Sequence, residues 1–148
     1  MFITNHVLVG SLIGLALPRR PIVAFGAGVA SHYVCDAVPH WGIYGDRPRF
    51  LKYAVTDGLI GLTTMTVIAR KVPAPSRIAV LAGMLGAAFP DTDKPAELFF
   101  DRSPFPVWAD AFHTRIQRES PRRLRHEIAF GLALAAGLAL FSRSADRC

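Results

Sequence analysis

Ile22-Val23-Ala24-Phe25-Gly26-Ala27-Gly28-Val29-Ala30-Ser31-His32-Tyr33-Val34-Cys35-Asp36-Ala37-Val38, followed at once by Pro39 and His40, decides the fold. The run exceeds strand length, so it reads as a helix that Pro39 stops. His32 and Asp36 stand four residues apart near its end and share one helical face. Ionisable groups inside so apolar a helix are costly and usually functional.

Working outward, four more apolar runs appear. Val7 to Leu17 stops at Pro18-Arg19-Arg20-Pro21, and Tyr53 to Ala69 precedes Arg70-Lys71-Val72-Pro73. Ile78 to Phe89 stops at Pro90. The last run extends to Phe141 from Ser120-Pro121, a good N-cap followed by proline at the first helical position. The expected fold is therefore all-α, an up-and-down bundle of five helices forming one domain over residues 1–148. Gly10 and Gly14, Gly58 and Gly61, and Gly83 and Gly86 recur within the runs. They either admit close helix approach or reflect the abundance of glycine in membrane helices. Residues 91–119 hold Pro95, Pro104 and Pro106 among Phe99, Phe100, Phe105 and Trp108, and read as an interfacial connection. Trp41 and Trp108 suit an aromatic belt.

Apolar residues make up 51% of the chain, charged residues 19%, and the mean hydropathy is +0.31. An average protein carries about 25% charged residues. The expectation is a multi-pass protein of the bacterial inner membrane, in contact with membrane lipids. A span needs about 20 residues, while runs of about 10–14 often mark core helices, so a greasy bundle of buried helices competes. No cleavable leader is evident, so the first helix is expected to stay. Cys35 and Cys148 form no framework. The net charge of +6 is mostly arginine, which suits phosphate groups. Nucleic acid ranks last as a partner, because no recognition module is visible.

Topology then sorts the polar residues. Antiparallel neighbours place the starts of the first, third and fifth runs beside the ends of the second and fourth. His6, His32, Asp36, His40, Asp57, Asp91, Asp93, His113, His126 and Glu127 all fall on that side. The other side carries Arg19, Arg20, Arg70, Lys71, Arg77, Arg143 and Arg147, with Asp146 its one carboxylate. Imidazole with carboxylate suits zinc, or manganese where carboxylates dominate. Plainer readings stand beside this one. His32 and Asp36 would form a core hydrogen bond, Asp91 a cap after Pro90, and Asp57 a local bond to Tyr53 or Thr56. Arg115, Arg118, Arg122, Arg123 and Arg125 would form a headgroup belt, or a clamp on a phosphate-bearing substrate.

Residues 28–41, with Asn5-His6 and Phe89-Pro90-Asp91-Thr92-Asp93, resemble the family of LexA-regulated, inner-membrane, metal-dependent hydrolases. The specific parts are His-x3-Asp-x2-Pro-His and Pro-Asp-x-Asp. Where many members carry His-Arg-x-x-Thr-His-Ser, this chain has Phe112-His113-Thr114-Arg115-Ile116-Gln117. His32-x3-Asp36 with Pro39 and His40 is also similar to a motif of zinc-dependent phospholipases C and related single-strand nucleases, where His and Asp bind zinc.

The reading taken forward is a metal-dependent hydrolase. His32, Asp36, Asp91 and Asp93 are the expected ligands, with His6, His40 or His113 completing the set. Asp57 is the expected general base or a further ligand. Arg115 and its neighbours would neutralise a phosphoester, with a lipid headgroup as the favoured substrate. The alternative is a non-catalytic metal-binding or structural protein; a transporter ranks lower, since the carboxylates gather at one end. Loop charges lean toward a cytoplasmic site.

Overall fold

A computed structural model describes residues 1–43 and 45–145, and among them no strand forms. The helices are α1 (Ile3–Ala16), α2 (Pro21–Ala37), α3 (Arg47–Lys71), α4 (Ala74–Ala88), α5 (Asp93–Phe100), α6 (Val107–Ile116) and α7 (Leu124–Ala145). Tight 3-10 turns at Phe89–Thr92 and Pro121–Arg123 lead into α5 and α7. Prolines sit in the first turns of α2, α3 and α4, where a missing N–H costs nothing. Asp46 caps α3 through the Arg49 amide at 3.0 Å. Asp146, Arg147 and Cys148, together with the Arg143 side chain, lie outside the described residues.

The expected five helices are α1 to α4 and α7. The connection over 91–119 differs from expectation, because it folds into α5 and α6. Its prolines mark helix starts: Pro95 lies in the first turn of α5, and Pro106 immediately precedes α6.

The multi-pass inner-membrane location is corrected. No helix among the described residues is long and apolar enough to cross a membrane. α1, α2 and α4 have 14, 17 and 15 residues, short of the usual span of about 20. α3 has 25 residues, but Arg47, Arg49, Lys52 and Asp57 charge its first half, and Arg70 and Lys71 end it. α7 opens on Arg125, His126 and Glu127. The lean toward a cytoplasmic site falls with the location. The apolar excess is real but lies outside the core: Ile22, Leu59, Ile78 and Leu132 are all exposed.

α1 is the hub and touches α2, α3, α4 and α7. Its contact with α4 is backbone to backbone. A Cβ at Gly10 would run into the Gly83 carbonyl, and one at Gly14 into the backbone of Ala79 and Val80. Gly28 of α2 and Gly86 of α4 meet the opposing backbone in the same way. Gly58 faces open space, so its spacing from Gly61 has no packing role. Val7, Leu8, Ile68, Val80 and Met84 form the buried core beside these contacts.

Gly10→Ala should destabilise the fold by about 3 kcal/mol, since backbone cannot retreat. Gly26→Ala, in the open part of α2, should instead stabilise by about 0.5–1 kcal/mol through helix propensity. Urea unfolding of both variants checks this, and equal effects would disprove the close approach.

Candidate metal centre

Three elements bring the four donors together. The end of α2 supplies His32 and Asp36, both without exposed surface. The turn after α4 supplies Asp91, and α6 lays His113 across them. One donor atom from each of the four lies within 4.8 Å of the others. His113 Nε2 is 3.2 Å and His32 Nε2 is 3.4 Å from Asp36 Oδ2. Asp91 Oδ1 stands 3.9 Å from both imidazole nitrogens.

Hydrogen bonds behind the imidazoles set their tautomers. His32 Nδ1 is 2.8 Å from the Ala87 carbonyl, which only accepts, so Nδ1 carries the proton. His113 Nδ1 is 3.3 Å from Asp93 Oδ2, an ion-pair contact that favours a proton on Nδ1. Both Nε2 atoms then point their lone pairs inward, and they are 3.0 Å apart. Two lone pairs at that distance repel unless a cation stands between them, either a proton or a metal ion. A carboxylate or carbonyl behind a ligating histidine is the usual support of a metal site.

His6 adds a third imidazole beside these four donors. Its ring stacks on His32 with centroids 4.0 Å apart, and Nε2 lies 3.2 Å from Asp36 Oδ1. Neither ring nitrogen is aligned for a hydrogen bond, although the residue is fully buried. Buried polar atoms are rarely left so. An orphaned imidazole beside two carboxylates and two anchored imidazoles fits a divalent ion. The donor set fits zinc or manganese and contains no thiolate.

Charge is compensated locally in the metal-free fold. Burial pushes Asp36 up, but the close imidazoles of His113, His32 and His6 outweigh it and hold the carboxyl below its usual range. The Met1 ammonium is 2.9 Å from Asp36 Oδ1. Burial also opposes the ionised form of Asp91, yet the Lys94 ammonium beside it brings the pKa to about 2. His113 resists burial through Asp36 and Asp93 and rises to about 9. Desolvation takes His6 down to about 4, so it stays neutral.

Of the residues expected from sequence, His6, His32, Asp36, Asp91 and His113 converge. Asp93 reaches the cluster only through His113. His40 is buried but turned elsewhere: Nδ1 donates to the Val38 carbonyl, and Nε2 stands 3.8 Å from Glu119. Its backbone pairs with the strand-like stretch at Arg118 and Ser120. Arg115 is exposed, as are Arg118, Arg122, Arg123, Arg125 and His126.

Asp57 is not at the centre. Its carboxylate accepts from the Ile3 amide at 2.6 Å, the Thr4 amide at 3.3 Å and the Thr4 hydroxyl at 2.6 Å. It caps α1 from α3. Buried Glu127 completes the cap from α7, accepting from the amides of Phe2 and Trp41 and from Asn5 Nδ2. α1 has no capping side chain of its own. Burial pushes the Asp57 carboxyl up against these donors.

Two neighbours escaped the sequence reading. Gln117 Nε2 lies 3.2 Å from both Asp36 Oδ2 and His113 Nε2. Its spacing of four from His113 was the available signal. Lys94, three residues after Asp91, was readable in the same way.

Asp57→Ala should cost about 2 kcal/mol in stability, because three donors lose their acceptor. Its metal uptake should equal wild type, and lost uptake with an intact fold would return Asp57 to the site. His113 titrates near 9 in the fold against 6.5 unfolded, so its contribution is full below pH 6.5 and is lost as pH rises through 9. The metal-free protein should therefore lose stability across that window, and His113→Gln should flatten the loss. Melting curves at stepped pH decide, and a flat wild-type profile would refute it.

Comparison with protein-family models, with curated proteins and with solved structures returns no match for this chain.

Proposed function

We propose that this protein is a divalent-metal-dependent hydrolase of phosphoesters, with zinc as the first candidate metal. The observation that carries the reading is the donor set. Two imidazoles and two carboxylates offer donor atoms within 4.8 Å of one another, and the buried His6 ring stacks beside them. Structural zinc sites are rich in cysteine, whereas catalytic ones favour histidine with carboxylate.

His32, Asp36, Asp91 and His113 would hold the ion, with His6 beside them. A bound divalent ion supplies Lewis acidity and makes a water molecule acidic enough to react near neutral pH. Asp93 keeps His113 in its ligating tautomer. Gln117 steadies Asp36 Oδ2 by hydrogen bonding. Lys94 is partly exposed and pairs with Asp91 at the outer edge of the cluster. With Asp91 engaged by an ion, the ammonium would be available to an anionic substrate. Arg118 lies on a segment tied to the end of α2, since its amide donates to the Asp36 carbonyl at 3.3 Å. With Arg115, two residues from His113, it would supply exposed positive charge that suits phosphate. The preference for a lipid headgroup rested on membrane depth, so phosphoesters in general are the class proposed.

Burial favours a second reading, a closed centre that ties helices together. Asp91 is 12% exposed and the other three ligands less.

Purified protein should contain near-stoichiometric zinc or manganese by elemental analysis. Asp93→Asn should weaken zinc binding about 10–100-fold while the fold persists. Turnover of a phosphomonoester and phosphodiester panel, abolished in His32→Ala/Asp36→Ala, supports the hydrolase. Metal that raises the melting temperature without any turnover supports the closed centre. A folded wild type that takes up neither metal refutes both.

A further inference from the structure

At the end of the bundle away from the metal centre, α3 and α4 touch only sparsely. A crevice of about 530 Å³ opens between them, within the usual size of a small-molecule site. Leu62, Met65 and Ala69 line it from α3, and Leu81 lines it from α4. The spacing 62-65-69 is one helical face, so the lining is a continuous stripe. Met65 and Leu81 are partly buried against the core and give the crevice a fixed floor. Thr66 also lines it, but its hydroxyl donates to the Leu62 carbonyl at 2.9 Å and so leaves no free donor for a ligand.

The polarity changes abruptly at one end. Arg70 closes α3 and Arg77 stands in the first turns of α4, and both belong to the lining. Both are exposed, and among the described residues neither pairs with a carboxylate. Lys71 adds a third positive charge nearby. An apolar trough ending in two guanidiniums complements a molecule with an apolar tail and a compact anionic head. Guanidinium matches a carboxylate in a bidentate fork. We infer that the α3–α4 crevice binds a single-chain fatty-acid carboxylate, with the chain along Met65 and Leu81 and the head between Arg70 and Arg77.

Calorimetric titration with dodecanoate below its micellar concentration tests this. Wild type should bind one equivalent, and affinity should rise about fourfold per methylene from octanoate to dodecanoate. Arg70→Gln/Arg77→Gln, at exposed positions, should keep the wild-type melting curve and bind at least about tenfold more weakly. Ala69→Phe should block the trough, whereas Ile22→Gln on the exposed face of α2 should change nothing. Unchanged affinity in the double arginine variant overturns the inference. So does equal affinity for dodecyltrimethylammonium, or saturation at many equivalents.

Discussion

A carboxylate taken wholly out of water costs several kcal/mol unless charge and hydrogen bonds meet it inside. Asp36 is in that position, and the surrounding architecture follows from it. Its two oxygens face different partners. Oδ2 meets His32, His113 and Gln117, while Oδ1 meets His6 and the Met1 ammonium. These partners come from Met1 ahead of α1, from α1, α2 and α6, and from the residue just past α6. Removing the carboxylate would leave each of them buried with its polarity unanswered. The helices are thus held in register by one residue that is itself unfavourable to bury.

Close packing makes this convergence geometrically feasible. Imidazoles on α1 and α2 stack at 4.0 Å only if their helices run nearly in contact. Gly10 of α1 and Gly28 of α2 each meet the α4 backbone at Gly83, so both helices seat against α4 and lie side by side. The same contacts set the height of the Ala87 carbonyl, which orients His32. The glycine stripe and the polar cluster are one construction, in which small residues set distances and the polar residues use them.

Much of this was legible in the chain. Helix limits followed from proline and basic clusters, and antiparallel topology alone put His6, His32, Asp36, Asp91 and His113 at one end. What topology could not supply was rotation about each helix axis. Asp57 shares that end but faces the amides of Ile3 and Thr4, and His40 turns toward Glu119. Both errors are angular, and a linear sequence with no repeat to fix the facing leaves such angles open. The membrane expectation failed differently. It let overall apolar content outweigh the shortness of the individual runs, which was itself legible. The apolar content is spread over α1, α2 and α4, each too short, and over α3 and α7, which carry charges in their opening turns.

The cap on α1 bears on how the protein assembles. Asp57 lies 54 positions from Ile3, and Glu127 lies 125 positions from Phe2. Local helix formation therefore cannot complete the first turn of α1, the turn from which His6 projects. Contacts so distant along the chain close late, because loop closure must precede their reward. Competence to hold an ion thus belongs to the finished topology rather than to any partial one. An early helical form would contain the His32–Asp36 pair without the other candidate donors.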